Sequence, residues 1–311
     1  MVSRTFGKQI IFGILFIGFF AGLIFYVQQI SKSDNFIYPA TDSALDLAVL
    51  DGIVKTDGGF KIKGEGVRAV VVPHHLVASE PIAVGIRLMA SSSPNLIVII
   101  SPDHFGRCAK LLCTTRGVFR SFFGDVSVSE KDVLELEKNS ELVDNSRLFS
   151  EEHGIFTVVP FLKHYIPNAE IIPIVMSQKG NGSEKERAEV IDLLKPLLSR
   201  KDVGLVISSD FSHYLPLKGS KEMDTKTQNS FCAGNDGEIL DLKNPSQSDC
   251  PLCLWLLEQE AKNLGFWNPV LIAHTNSAEI LKDLSVKETT SHFVFTLLSS
   301  PTTKNCPLIS Y

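Results

Sequence analysis

The chain has 311 residues, of which 44% are hydrophobic and 21% charged, enough for one large domain or two modest ones and too apolar for long disorder. Thirty basic against thirty-five acidic side chains give a net charge of −5 without a basic cluster, which argues against nucleic-acid binding because phosphate recognition needs concentrated Lys and Arg. Six cysteines in a chain of this length are too few for a disulfide scaffold.

The first element along the chain is an apolar run over residues 10–27, which contains no charge. A helix of about 18 residues is about 27 Å long, close to the thickness of a bilayer's hydrocarbon core. Arg4 and Lys8 precede the run, whereas Lys32 and Asp34 after it cancel. The positive-inside rule therefore predicts a single-pass membrane protein with a cytoplasmic N-terminus and an extracytoplasmic domain. A cleaved signal peptide is the alternative, although no small-residue cleavage site follows the run.

Short β-branched runs alternate with amphipathic segments from Val67 onward. The pattern predicts strands at 68–72, 95–101, 169–177, 204–209, 269–274 and 292–298, and helices at 80–90, 129–139, 152–165, 183–198 and 251–264. Continuous apolar strands between helices indicate a single α/β domain with a mixed or parallel sheet and flanking helices. We accordingly divide the chain into an anchor at 1–30, a linker and entry segment at 31–66, a domain at 67–300 and a tail at 301–311.

Polar side chains follow three of the predicted strands. His74 follows the first strand, His104 the second, and Asp210 and His213 the strand that ends near residue 209. Ligands of α/β sheets bind at the carboxyl ends of the strands, so these groups are expected to share a cleft. Imidazole and carboxylate together are ligands for a transition metal or the parts of an acid–base site.

Two further candidates begin predicted helices. Glu152 adds a carboxylate beside His153, and Cys250 adds a thiol that is followed by a second one at Cys253. A single C-x-x-C pair is compatible with a redox pair, a disulfide or two unrelated thiols. Structural roles also stay open for the others, since Asp210 and Glu152 suit helix starts and His213 suits a hydrogen-bonded core position.

The order of these motifs resembles the Memo family, in particular the prokaryotic proteins called AmmeMemoRadiSam system protein B. The matching segments are Pro73-His74, Ser101-Pro102-Asp103-His104, Glu152-His153-Gly154 with Pro160-Phe161-Leu162, Ser208 through His213, and Cys250. The resemblance extends over residues 67–298. This chain differs from the family motifs at two positions. Phe156 stands where the family has a second glutamate, and Pro251 stands where the family has a glycine after the cysteine.

The resemblance implies a fold like that of the class III extradiol dioxygenases of the LigB type. It also implies a copper or iron ion held by His74, His104 and Cys250. Asp210 and His213 would line the same pocket and, with Glu152, supply acid–base chemistry.

The expected function is that of a membrane-anchored, metal-dependent redox protein acting on a small phenolic or peptide ligand. One alternative is a copper-, iron- or peptide-binding module without turnover. Another is a hydrolase in which the same metal activates water. The sequence leaves open whether the protein is an oxidoreductase.

Overall fold

A mixed nine-stranded sheet forms the centre of the fold in a computed structural model that describes residues 36–59, 66–298 and 306. In the described parts of the chain the strands are β1 (Ile37–Ala40), β2 (Val67–Val72), β3 (Leu96–Pro102), β4 (Leu112–Thr114), β5 (Val118–Ser121), β6 (Gly124–Val126), β7 (Val143–Asn145), β8 (Glu170–Met176), β9 (Val203–Ser208), β10 (His213–Leu215), β11 (Pro269–Asn276) and β12 (Thr289–Leu298). The helices are α1 (Ser43–Gly59), α2 (Ser79–Ala90), α3 (Glu130–Asn139), α4 (His153–Phe156), α5 (Val159–Tyr165), α6 (Glu184–Leu198), α7 (Leu217–Ala233), α8 (Asp236–Leu240), α9 (Pro251–Asn263) and α10 (Ser277–Ile280).

Four parallel strands lie side by side at the middle of this sheet, in the order β2-β9-β3-β8. Their sequences are nearly continuous apolar runs, as expected for strands that are covered by helices on both faces. β12 extends the sheet antiparallel to β2, and β4 extends it antiparallel to β8. The carboxyl ends of the four parallel strands and the beginning of β12 therefore meet at one edge.

The predicted fold class is confirmed at the level of an α/β domain with a mixed sheet and flanking helices. Each predicted strand matches an observed one with ends that differ by at most three residues. The helix predicted over 152–165 is divided into α4 and α5, because Pro160 in the first turn of α5 has no N–H to continue the preceding helix.

The segment assigned to a linker contains regular structure. β1 pairs with β5 in a separate three-stranded sheet, and α1 follows with Leu45, Val49 and Ile53 buried. Val54 on the same helix is 69% exposed, so the apolar residues of α1 do not form one stripe. This mixed pattern explains why hydrophobic periodicity did not reveal the helix.

The predicted membrane localisation is corrected here. Across the residues that the structure describes, none of the helices has both the length and the apolar content that crossing a bilayer requires. The predicted anchor at residues 10–27 lies outside the described residues. Membrane placement is not carried into the function proposed below.

Six cysteines form three disulfide bonds, a pairing that the sequence left open. The bonds join Cys108 to Cys113, Cys232 to Cys306, and Cys250 to Cys253. The third bond converts the thiol of Cys250, a predicted metal ligand, into a disulfide sulfur.

Candidate metal centre

The candidate site lies at the carboxyl edge of the central parallel strands. His74 follows β2, Asp210 follows β9 and His104 follows β3. The prediction placed His74 and His104 on neighbouring strands, whereas β9 lies between the two. β9 thereby brings Asp210 between the two histidines, and all three side chains are part of one cluster with Asp249.

His74 is held so that its Nε2 atom faces two carboxylates. Its side chain is 2% exposed, and its Nδ1 lies 3.1 Å from Ser208 Oγ. Because Ser208 donates its own hydroxyl proton to the carbonyl of Gly154, its oxygen accepts the Nδ1–H of His74. Nε2 is left 3.4 Å from Asp210 Oδ2 and 3.2 Å from Asp249 Oδ2.

His104 is held in the same manner by Glu152. The Nδ1 atom of His104 lies 2.5 Å from Glu152 Oε1, and the backbone N–H of His104 donates to Oε2. Glu152 also caps α4 by accepting the N–H of Gly154. The predicted site residue Glu152 therefore contacts the Nδ1 side of the His104 ring. The Nε2 atom on the other side of the ring lies 3.6 Å from Asp249 Oδ2.

Gly154 is required where α4 passes the end of β3. A Cβ atom at this position would collide with Ser101 Oγ and would lie 3.3 Å from His104 Cε1. The absence of a side chain allows α4 to approach β3 closely enough for Glu152 to reach His104.

Asp249 is a central residue of the site that the sequence analysis missed. Its loop is fixed by a β-bridge between Phe211 and Ser248, and Asp249 and Asp210 exchange hydrogen bonds. Ser209 Oγ donates to Asp249 Oδ1, which leaves Oδ2 next to both histidines. An acidic residue before a helix resembles an ordinary cap in sequence, so only the bridge to the 209–211 loop identifies its role.

His153 completes a group of three imidazoles. Its ring centroid lies 4.0 Å from that of His104 and 5.2 Å from that of His74. Among the described residues, two groups have donor atoms within 4.8 Å of one another, namely His74 with His104 and His153, and His74 with Asp210 and Asp249. Cys250 belongs to neither group.

Cys250 differs from its predicted role. Its sulfur is bonded to Cys253 and accepts a hydrogen bond from the Gln178 side chain over 3.4 Å. A disulfide sulfur carries no negative charge and is not the thiolate that binds metals. In this state the carboxylate of the preceding residue, Asp249, faces the histidine pair in its place.

Asp210 and His213, which were predicted to line the same pocket, have different neighbours in the structure. Asp210 contacts His74 and the ring of His292, which donates from Nδ1 over 3.0 Å. His213 begins β10. Burial lowers the pKa of His75, Asp210 opposes this, and the imidazoles of His292, His74 and, least of all, His213 lower it further. A catalytic role for Asp210, His213 or Glu152 stays a prediction.

The carboxylates and imidazoles of the cluster shift one another's pKa values. Burial lowers the pKa of His104, but hydrogen bonds to Asp249 and Glu152 outweigh it and raise that pKa to about 10. The pKa of His74 is also raised, because Asp210 and Asp249 together exceed the opposing effect of burial. Burial acts to raise the pKa values of both aspartates, yet the neighbouring imidazoles hold them well below the usual range.

His153 is the neutral imidazole of the cluster, since burial and the imidazoles of His74 and His104 lower its pKa to about 3.

Comparison with known proteins identifies similar chains. A family profile described as "Memo-like protein" matches residues 36–286. A MEMO1 family protein of Pyrobaculum arsenaticum is 27% identical over 259 residues, which cover 79% of this chain and 90% of that protein. A MEMO1 family protein of Pyrobaculum aerophilum is 26% identical over 227 residues, which cover 70% of this chain and 79% of that protein.

One solved structure in the comparison is an uncharacterized protein, JW3007, from Escherichia coli K12. It has a TM-score of 0.42 and 12% sequence identity, and the match covers 73% of this chain and 99% of that one.

Proposed function

Because this chain belongs to the Memo-like protein family, we propose that it binds a ferrous ion through His74, His104 and Asp249 at the carboxyl edge of its central strands. The observation that carries the proposal is the position of Asp249 Oδ2, which lies 3.2 Å from His74 Nε2 and 3.6 Å from His104 Nε2. Both imidazoles are tied through Nδ1, so the two Nε2 atoms are the ones free for a metal.

The donor set decides which metal fits. Two imidazoles and one carboxylate are the ligands of non-haem ferrous sites that keep open coordination positions. Copper(I) prefers a soft thiolate, which the bonded sulfur of Cys250 does not offer. The residues therefore fit iron better than copper while this disulfide is closed, and His153 and Asp210 are further donors at the same place.

A bound ferrous ion would supply a redox-active centre with positions open to ligands. The protein's own side chains hold and orient that centre. Glu152 and Ser208 fix the rings of His104 and His74, and the carboxylate of Asp249 offsets the positive charge. A metal would compete with protons at the Nε2 atoms of His104 and His74, whose pKa values the neighbouring carboxylates raise against the effect of burial.

An exposed phenyl ring lies beside the imidazoles of the site. Phe105 is 51% exposed and its ring lies 6.1 Å from that of His153, while the Arg107 guanidinium lies 5.4 Å above the Phe105 ring. An exposed phenyl ring beside the imidazoles suits stacking of a small aromatic ligand such as a phenol, while the Arg107 guanidinium is paired with Glu151 over 2.7 Å. This arrangement supports the phenolic ligand class over a peptide.

The family resemblance further implies an extradiol-dioxygenase-like fold and oxidation of the ligand. We retain both as parts of the proposal. The N/O donor set and the exposed Phe105 ring support oxidation of an aromatic ligand, and turnover is tested separately from metal binding.

Metal binding is tested by anaerobic titration of the full chain, purified without thiol reductants, with Fe²⁺ and with Co²⁺ as a spectroscopic substitute. We expect one ion per chain by elemental analysis, and loss of at least 100-fold in affinity for the His74→Ala, His104→Ala double variant. His164→Ala is the matched control, because His164 lies outside the site. Unchanged binding by the double variant would overturn the proposal.

Turnover is tested by oxygen consumption of the iron-loaded chain with catechol and simple phenols. Consumption that is abolished in Asp249→Asn and retained in His164→Ala supports an oxidoreductase. Tight iron binding without consumption of oxygen would leave a metal-binding module.

A further inference from the structure

A second residue that sequence reasoning missed, His292, lies behind the site on β12. β12 runs antiparallel to β2 with Phe295 paired to Val71, so residues near the start of β12 lie at the edge where β2 ends. The ring of His292 is fully buried, and its Nδ1 lies 3.0 Å from Asp210 Oδ1. Asp210 is 2% exposed and sits between this ring and His74.

We propose that His292 is a positioning residue that turns Asp210 so that one carboxylate oxygen, Oδ2, faces the metal position. The inference rests on the proposed function, since it concerns the same site. Neither the motifs nor the donor groups described above include His292.

The hydrogen bonds of Asp210 divide between its two oxygens. Oδ1 accepts the Nδ1–H of His292 over 3.0 Å and the backbone N–H of His74 over 3.4 Å. Oδ2 faces only His74 Nε2 in this set, over 3.4 Å. An ionised carboxylate only accepts, so the proton of this contact must sit on His292 Nδ1.

A carboxylate needs such a partner because its terminal torsion is soft. The last torsion of an aspartate has broad, two-fold minima, so sterics alone do not select which oxygen points forward. The backbone N–H of His74 is the longer of the two contacts to Oδ1 and fixes the group less well. His292 therefore holds Oδ1 on its own side and leaves Oδ2 as the oxygen that would face a metal.

The asparagine and glutamine variants of His292 separate positioning from simple filling of space. In asparagine the amide nitrogen is two bonds from Cβ, as Nδ1 is in histidine, whereas in glutamine it is three bonds away. His292→Asn should keep a donor to Asp210 Oδ1 and bind Co²⁺ within about threefold of the wild type. His292→Gln should bind it roughly 10- to 100-fold more weakly, the range for lost outer partners of metal ligands.

Two measurements accompany these affinities. The ligand-field spectrum of bound Co²⁺ should match the wild type in His292→Asn and shift in His292→Gln, which a purely structural role would not produce. His75→Asn is the matched control, because His75 stacks on His292 with ring centroids 5.6 Å apart without a hydrogen bond to Asp210 in the described contacts. Near-ultraviolet circular dichroism of each metal-free variant checks that it is folded.

The outcomes separate this inference from the proposed function. Equal Co²⁺ affinity of His292→Asn and His292→Gln, whether both strong or both weak, would overturn the positioning role. If the wild type takes up no Co²⁺, the proposed function fails, and with it any orientation of a ligand by His292. ¹⁵N NMR of the metal-free chain tests the contact itself, since an Nε2–H tautomer of His292 would also overturn the inference.

Discussion

His74 and His104 are each fixed through Nδ1, which makes metal binding a competition with protons at their Nε2 atoms. The pKa of His104 is raised to about 10, so this imidazole is protonated over the whole physiological range in the metal-free chain. The same contacts that retain this proton also orient the ring for a metal. The contacts that orient the His104 ring therefore also make the metal affinity depend on pH.

Metal affinity should continue to increase with pH well above neutrality. A metal bound by His104 and His74 competes with protons on two imidazoles whose pKa values are raised, so the apparent affinity should rise at least about tenfold per pH unit between pH 7 and 9. An ordinary imidazole with a pKa near 6.5 would give a plateau over this interval. Co²⁺ titrations at several pH values, with proton release measured by an indicator dye, check this, and a flat profile would contradict it.

Glu152 should matter through His104. Replacing Glu152 by Gln removes the charged acceptor at Nδ1, and we expect metal affinity to fall roughly 10- to 100-fold with a smaller pH dependence. Glu151→Gln is a close control, because Glu151 is exposed and pairs with Arg107 at the surface. Equal effects of the two substitutions would show that Glu152 acts only as a helix cap.

Helix α9 contains a buried carboxylate unrelated to the site. Glu260 is fully buried, and among the described residues neither of its oxygens has a hydrogen-bond partner. Burial raises its pKa to about 7, which Lys195 on α6 opposes. The folded state therefore holds this proton more tightly than the unfolded chain does.

This carboxylate predicts a pH-dependent stability. The favourable contribution is complete below the ordinary pKa of 4.5 and is lost as the pH rises through about 7. Glu260→Gln should be more stable than the wild type at pH 8 by about 3 kcal/mol and nearly equal to it at pH 4.5. Urea unfolding at both pH values measures the difference, with the exposed Glu135→Gln as control; a constant difference at both pH values would contradict the mechanism.

At the scale of the whole molecule, one disulfide closes a much longer loop than the other two. Cys232 and Cys306 are 74 positions apart, whereas Cys108 and Cys113 are 5 apart. Loop-closure entropy assigns about 4 kcal/mol to the long loop and about 2 kcal/mol to the short one. The double serine variant of the long bond should therefore unfold at clearly lower urea concentration than that of the short bond, and the reverse order would contradict the entropic account.

The sequence predicted what depends on local pattern. Buried strands have apolar runs, and chemistry-bearing residues follow them, so the positions of His74, His104 and Asp210 at one sheet edge could be inferred from order alone. Two helical features were harder to predict. A proline divides the segment 152–165 into two helices, and the apolar residues of Ser43–Gly59 do not follow a helical period.

The remainder depends on contacts between distant segments. Asp249 reaches the histidines through a bridge between Phe211 and Ser248, and His292 reaches Asp210 through the register of β12 against β2. Neither pairing leaves a signal in a single sequence. Cysteine pairing is of the same kind, since six cysteines allow 15 connectivities and only the fold brings Cys232 next to Cys306.

The attachment of the site to the middle of the sheet has a consequence for amide hydrogen exchange. β9 and β3 each have a parallel neighbour on both sides, so their amides should exchange only when the whole domain opens. The loops that carry the site residues follow directly from these strands and should unfold together with them. A metal bound at the site therefore raises the free energy of unfolding of the whole domain by mass action. Deuterium uptake at the buried centre of β9 should therefore slow on addition of metal as much as global unfolding does.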